Sequence, residues 1–327
     1  MTRPARQTNT TPRRLGIIYN SQSGRHRRRW GRHPLPDGVP AIEANTPDEI
    51  RAAVALLAGQ GIDLLAVAGG DGTVQCVLST VMLDNLFEQP PILALIPTGS
   101  TNMTGQDVGY IDVRRNGWRP LCAWADTPTT TGGAVQSRPV LRIRPGDNGT
   151  PFCGMFFGAG AIHHAVQYTQ KQLHSVGLRG EIGPGFAFMR FLKAVATGDR
   201  RYFTPTRLTL TDDTNRCVEE DTLLLVVSTL HRLVLHFHPF WGQESGPIAW
   251  TTVADRAAHF FMRLPMVARG LRWGGLDEAR GYVSHNSHAL TLDFDGGYIV
   301  DGEFFAASRD EGPVRLDIAG HARFLRL

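Results

Sequence analysis

Short apolar runs separated by polar, helix-like stretches organise the first 126 residues. Leu15 to Tyr19, Val39 to Ala44, Ile62 to Ala68 and Ile92 to Ile96 each read as a buried strand. Thr46-Pro47-Asp48-Glu49 opens a helix to about Gln60, with a capping threonine, a proline in the first turn and acids beside it. A second helix spans Thr73 to about Leu83. Strands alternating with helices at this spacing predict a parallel, doubly wound sheet. Beyond Asp126 the pattern changes. A linker-like Thr127-Pro-Thr-Thr-Thr-Gly-Gly stretch precedes strand patterns at Val140 to Ile143, Phe152 to Phe157, Arg207 to Leu210, Leu223 to Ser228, Leu233 to His238, Ala289 to Phe294 and Val314 to Ile318. Helical patterns interrupt them near Ala161 to His174, Phe186 to Ala196 and Asp255 to Leu271. This half predicts a mainly antiparallel β domain, a sandwich with inserted helices. The expected organisation is a disordered polar arm over 1–14, an α/β domain over 15–130 and a β-rich domain over 131–327, whose last segment returns to the first.

Composition narrows the class. At 327 residues the chain exceeds what one compact core usually takes, and 42% hydrophobic with 20% charged residues excludes a disordered, collagenous or coiled-coil protein. Cys76, Cys122, Cys153 and Cys217 are far apart and read as reduced, mostly buried thiols of an intracellular protein. No apolar run approaches the ~18 residues of a membrane span, and no apolar core follows the N-terminal arginines. The expectation is a cytoplasmic protein, at most peripheral at the inner membrane face. The net charge of +4 is modest, yet of 34 basic residues only Lys171 and Lys193 are lysines. Arg25, Arg27, Arg28, Arg29 and Arg32, with His26 and His33, form a cluster suited either to a solvated face or to phosphates and anionic headgroups. No stacking aromatics accompany it, so no nucleic-acid partner is expected.

The chemistry concentrates at strand ends. Leu64 to Ala68 runs into Gly69-Gly70-Asp71-Gly72-Thr73 before a helix, an arrangement in which glycines allow positive φ and close ligand approach while helix-start N–H groups attract phosphate. Asp71, at the strand's C-terminal end, is placed to hold Mg²⁺ through water; alone, the loop reads equally well as an Asx-type turn. One βα unit later, Pro97-Thr98-Gly99-Ser100-Thr101-Asn102 repeats the chemistry, and Asn20-Ser21-Gln22-Ser23-Gly24 ends the first strand similarly. Three such ends on one sheet edge point to a convergent phosphate site.

These segments resemble the diacylglycerol kinase catalytic-domain superfamily, which includes bacterial diacylglycerol, sphingosine and ceramide kinases. Asn20-Ser-Gln-Ser-Gly24 is similar to its N-P-x-S-G, Gly69-Gly-Asp-Gly-Thr73 to its signature, Pro97-Thr-Gly-Ser-Thr-Asn102 with Asp107-Val-Gly109 to its second loop, and Asp301-Gly302-Glu303 to its D-G-E. The resemblance implies a Rossmann-like nucleotide domain, a β-rich second domain, ATP and Mg²⁺, and phosphorylation of a lipid hydroxyl. It implies Glu303 as proton acceptor with Asp301 beside it, and nucleotide contacts from Asn20, Ser23, Gly24, Thr46, Gly69, Gly70, Asp71, Gly72, Thr73, Gly99, Ser100 and Asn102. The partners expected are a lipid substrate and a transient anionic membrane surface; a homodimer stays open. Asp301 and Glu303 would share a strand face, unless Gly302 puts them on a turn.

The sequence departs from the family at Gln243-Glu244-Ser245-Gly246-Pro247-Ile248, where many bacterial members carry an Asp-Asp-Gly-x-Leu segment supporting a structural Mg²⁺; no second metal is expected. NAD kinase also carries Gly-Gly-Asp-Gly-Thr, but its P-T-G-S-T element lies much further downstream. A nucleotide-binding homologue without turnover is the non-enzymatic alternative. His236 with His238 and His285 with His288 lack a third ligand at metal spacing. Phe186 to Lys193 and His259 to Trp273 mix large apolar residues with arginine, which suits either a packed helix or a face that meets anionic membrane.

Overall fold

The computed structural model describes residues 12–23, 33–99, 101–127, 133–163, 205–271 and 275–327. The chain divides into two compact units, one comprising residues up to Arg138 together with His321–Leu327, the other Pro139–Gly320.

In the first unit, β1 (Leu15–Tyr19), β2 (Ala41–Glu43), β3 (Leu64–Gly69), β4 (Ile92–Pro97) and the end of β15 (Val314–Arg326) form a parallel sheet in the order β2-β1-β3-β4-β15. Its central strands are buried along almost their whole length, which is why they read as continuous apolar runs rather than alternating ones. Leu15, Ile17, Ala66, Ala94 and Ile96 share a core with Trp118 and with Leu121 and Trp124, the latter two on a short helix over Arg119–Asp126. The longer helices α1 (Pro47–Gly59) and α2 (Asp71–Leu83) contribute Ile50, Val54, Leu57, Val77 and Leu78 to the buried set. Only Gly70 separates β3 from α2, so α2 begins two residues earlier than its sequence pattern indicates.

The second unit is antiparallel. β7 (Phe156–Gly160), β8 (Thr206–Asp212), β9 (Cys217–Ser228), β12 (Leu290–Phe294), β13 (Gly296–Val300) and β14 (Glu303–Ala307) follow the order β14-β13-β7-β9-β8-β12, continued by the first half of β15. β10 (Ile248–Ala254) pairs with β9 and β11 (Tyr282–Ser287), and β5 (Ala134–Arg144) pairs with β15 and β6 (Phe152–Gly154). Phe157, Trp250, Phe294 and Tyr298 are fully buried in its core, where Tyr298 stacks on Phe157 at 5.0 Å.

Several expectations change. Leu233 to His238 is not a strand but a 3₁₀ turn over Val234–His236, because His236 takes φ 60°, incompatible with extended backbone, and Leu233 N–H closes on the Phe237 carbonyl. Phe152 to Phe157 is two strands broken at Met155. The helix expected over Asp255 to Leu271 is confined to Phe260–Arg269, between His259 at φ 54° and Gly270 at φ 62°. Of the four thiols only Cys153 is buried, and Cys217 is exposed. Most of the expected helix over Ala161 to His174, all of that over Phe186 to Ala196, and the arginine cluster from Arg25 to Arg32 lie outside the described residues.

Candidate functional site

Parallel pairing brings three loops to one edge of the first unit. Tyr19 lies opposite Ala68 and Gly69 opposite Pro97, so the chain leaves β1, β3 and β4 from neighbouring strand ends. Hydrogen bonds then tie the loops together. Asn20 donates its backbone N–H to the Ala68 carbonyl at 2.9 Å and its side-chain amide to the Thr73 hydroxyl at 3.2 Å. Thr98 donates its backbone N–H to the Gly69 carbonyl at 3.0 Å and its hydroxyl to that of Ser23 at 3.1 Å. Asn102, at φ 49°, accepts the Gly99 N–H at 3.0 Å and returns its side-chain amide to the Gly99 carbonyl at 2.7 Å, folding the third loop on itself.

The glycines are not needed for the positive φ expected of them. Gly69, Gly70 and Gly99 are not among the residues at positive φ; Gly70 sits at φ −89°. They are required by crowding. A Cβ on Gly69 would run into the Thr73 side chain, one on Gly99 would lie 2.7 Å from the Gly70 α-carbon, and one on Gly70 would lie 3.2 Å from the Ser23 hydroxyl.

The two long helices of this unit end differently. The α1 N-terminus is closed by a capping box: Thr46 accepts the Glu49 N–H at 3.3 Å, and the Glu49 carboxylate accepts the N–H groups of Asn45 and Thr46 at 2.6 and 3.2 Å. Thr46 is therefore engaged as a cap, and no hydrogen bond among the described residues joins it to the glycine loops. α2 starts at Gly70 with no side-chain cap, leaving its first-turn amides and dipole facing the loops. Asp71 stands at this terminus, partly buried. Burial pushes its carboxyl up to about 6, against the opposing pull of the backbone N–H groups of Thr104, Met103 and Asn102. Open amides, small residues and one carboxylate fit a nucleotide's phosphates with Mg²⁺ held through water. Thr98, whose hydroxyl joins β4 to Ser23, belongs to this set; the sequence signal for it was its place in the second loop motif.

In the second unit, Asp301 and Gly302 form the two-residue tip of the β13–β14 hairpin, at φ 49° and 93°, a Type I′-like Asp-Gly turn. Asp301 is buried, and its carboxylate accepts the Met155 and Phe156 N–H groups at 2.9 and 3.0 Å, which accounts for the break between β6 and β7. Glu303 opens β14 with its side chain exposed. The turn thus separates the two acids in environment: one holds backbone, the other faces solvent.

Residues Gln243–Ile248 do not fit the structural Mg²⁺ of the family, because Arg216 and His285 already engage the acids there. Arg216 reaches Asp212 at 3.1 Å and Glu244 at 4.0 Å, and Glu244 meets His285 Nδ1 at 2.5 Å and the Asn286 N–H at 3.0 Å. Burial would raise Glu244, but the bonds from His285 and from the Glu244 and Asn286 backbone outweigh it and bring the carboxyl down to about 2. Among the described residues no group of three or more His, Cys, Asp or Glu side chains is arranged to hold a metal. Gly24 and Ser100 lie outside the described residues.

The comparisons with known proteins agree with the motifs. Residues 14–118 match the family described as the diacylglycerol kinase catalytic domain. No curated protein matches the chain. Among solved structures, a diacylglycerol kinase from Bacillus anthracis is 14% identical over 97% of this chain and 98% of its own, with a TM-score of 0.60. Two structures provisionally named diacylglycerol kinases from the same organism superpose with TM-scores of 0.62 and 0.63 at 14% and 15% identity, covering 96% and 97% of this chain and 97% and 98% of theirs. At such identity the likeness carries the fold: an α/β unit followed by an antiparallel β-rich one.

Proposed function

We propose that this chain, whose residues 14–118 match the diacylglycerol kinase catalytic domain family, is an ATP-dependent lipid kinase that transfers the γ-phosphate to a lipid hydroxyl. The observation that carries the reading is the interlocked set of loops after β1, β3 and β4, closed by the Gly70–Gly99 approach beside an uncapped helix start. Phosphoryl transfer depends on positioning and charge neutralisation more than on covalent chemistry by the protein. In this reading Gly69 to Thr73, with Asn20, Ser23 and the Thr98–Asn102 loop, hold the phosphates. Mg²⁺, when bound with the nucleotide, supplies neutralisation of the phosphate charge. Asp71 orients that cation through water and keeps the third loop in place. The acceptor oxygen bonds to the γ-phosphorus as the bond to the bridging oxygen breaks, ADP keeps that electron pair, and Glu303 takes the hydroxyl proton. Asp301 is a positioning residue that fixes the turn from which Glu303 projects.

Diacylglycerol, ceramide and sphingoid bases are the acceptor classes in question. Transfer from labelled ATP to a panel of these lipids and NAD, in mixed micelles with Mg²⁺, tests the reading: a labelled lipid supports it and names the acceptor. Labelled NADP would replace it with the NAD kinase reading, and binding of ATP without transfer to any acceptor would leave a homologue without turnover.

A further inference from the structure

Helix α6 (Phe260–Arg269) turns an apolar side outward. It packs through Phe260 and Val267 into a cluster with Leu223, Val253, Leu276 and Tyr282. On the other side Phe261 and Met262 are 42% and 75% exposed, and Leu271, just past the Gly270 cap, is 48% exposed. Pro265 and Arg269 are exposed at the spacing that places them on the same helix face as Phe261 and Met262. The other large hydrophobics comparably exposed among the described residues, Leu56, Tyr110, Val135 and Leu327, all belong to the first unit. Among its described residues the second unit therefore gathers its most exposed large apolar side chains at this one place.

The charge along the helix and its approach is mainly positive, and on the neighbouring turn Asp277 is paired with Arg280 and followed by Glu278. From Ala254 to Leu271 the only acid is Asp255, against Arg256, Arg263 and Arg269. Arg263 leans back over the Tyr282 ring at 5.5 Å and donates to the Ala258 carbonyl, whereas Arg256, His259 and Arg269 are exposed. Three apolar side chains fall well short of the ~800 Å² per partner that a stable protein interface buries. They are enough for shallow insertion into an interface where arginines meet anionic headgroups.

We infer that α6 and Leu271 form a docking face for an anionic lipid bilayer, with Phe261, Met262 and Leu271 entering the headgroup–acyl boundary and Arg256 and Arg269 meeting lipid phosphates. This inference rests on the lipid-kinase reading for its purpose, since the acceptor would be drawn from the same bilayer.

The test is cosedimentation of the full chain with phosphatidylcholine vesicles, with and without phosphatidylglycerol, for the wild type and the Phe261→Ser/Met262→Ser variant. Both positions are exposed, so the variant should keep the wild-type melting temperature. Wild type should bind the phosphatidylglycerol vesicles in a salt-sensitive way, and the variant should bind roughly tenfold or more weakly, because burial of apolar surface drives insertion. Absence of binding by the wild type, or equal binding by the variant, overturns the inference. So does a change of oligomeric state in the variant, which would assign the face to self-association. Phosphorylation of a monodisperse short-chain diacylglycerol, ceramide or sphingosine separates the two readings. Vesicle binding without transfer to any of them leaves docking standing and removes the kinase; transfer by both proteins with equal vesicle binding keeps the kinase and removes the docking face.

Discussion

Gly70 and Gly99 approach so closely that a Cβ on Gly99 would stand 2.7 Å from the Gly70 α-carbon, whereas one on Gly70 would clear the Gly99 α-carbon at 3.4 Å. The neighbour is backbone and cannot swing aside. Gly99→Ala should therefore cost about 1–3 kcal/mol through overpacking and weaken ATP binding at least about tenfold by pushing apart the loops after β3 and β4. Gly70→Ala meets the Ser23 hydroxyl at 3.2 Å and should be milder, because that rotor can yield. Urea unfolding with calorimetric titration of ATP would check both; equal effects of the two variants would sink the argument from crowding.

Asp71 makes the site sensitive to pH. Its folded value of about 6, raised by burial, lies above the ordinary 3.8, so the folded state binds the proton more tightly than the unfolded chain. Stability from this group is thus full in acid and falls as pH rises through the window between those values, a loss on the order of 2–3 kcal/mol at neutrality. Asp71→Asn does not ionise. Relative to wild type it should gain stability most near pH ~7.5 and least near pH ~4, while weakening Mg²⁺-dependent ATP binding. Melting curves across this range, with ATP titrations at the upper end, would show a flat difference if the carboxyl carried no such strain.

Much of this was legible where one residue type has one physical role. Leu15 to Tyr19 is a strand at the bounds its apolar run indicates, and Thr46 caps α1 as Thr-Pro-Asp-Glu announces. The three loop motifs fall at the ends of adjacent strands because parallel βα units put them there. What could not be read depended on distant partners. Strands β10 and β11 are rich in Thr, Ser, His and Asn, whose polar groups are satisfied only across the fold, as when Trp250 donates to Ser287 and Thr251 to Ser284. Leu233 to His238 has strand composition but ends in a left-handed histidine. Glycine sequence patterns signal turns, yet the reason for Gly70 and Gly99 is a contact between loops far apart in the chain.

The split between Asp301 and Glu303 predicts two different mutant phenotypes. Asp301→Ala leaves the buried Met155 and Phe156 N–H groups without their carboxylate and should cost about 2–4 kcal/mol. Glu303→Gln changes an exposed side chain and should leave stability within about 0.5 kcal/mol. If Glu303 accepts the proton, turnover should fall by about 10²–10⁴-fold with ATP affinity retained. Unfolding curves and single-turnover rates on both variants would decide; unchanged turnover in Glu303→Gln removes it from the mechanism.

A buried ion pair fixes the start of β5 in the first unit. Arg138 meets Asp107 at 3.0 Å, with their side chains only 13% and 2% exposed. Removing the cation alone, in Arg138→Ala, takes from a buried carboxylate the cation it meets and should cost about 3–5 kcal/mol. Replacing both residues, in Asp107→Leu/Arg138→Met, should recover most of that loss, because the desolvation of both charges disappears together. A double-mutant cycle in urea that found the two losses simply additive would refute the coupling.

Arg216 supplies charge where the family resemblance pointed to a divalent ion. It bonds Asp212, whose side chain is 1% exposed, while its weaker approach to Glu244 is reinforced by His285. The nucleotide-free protein should therefore melt at the same temperature with Mg²⁺ as with a chelator. Arg216→Met, by contrast, should lose about 1–3 kcal/mol. Because the Glu244 carboxyl is held down to about 2, its contribution is present above the ordinary 4.5 and disappears as pH falls toward 2. Glu244→Gln should accordingly be destabilised at neutral pH and converge on wild type in acid. A fall in the wild-type melting temperature on chelation would show that this acidic corner takes a metal after all.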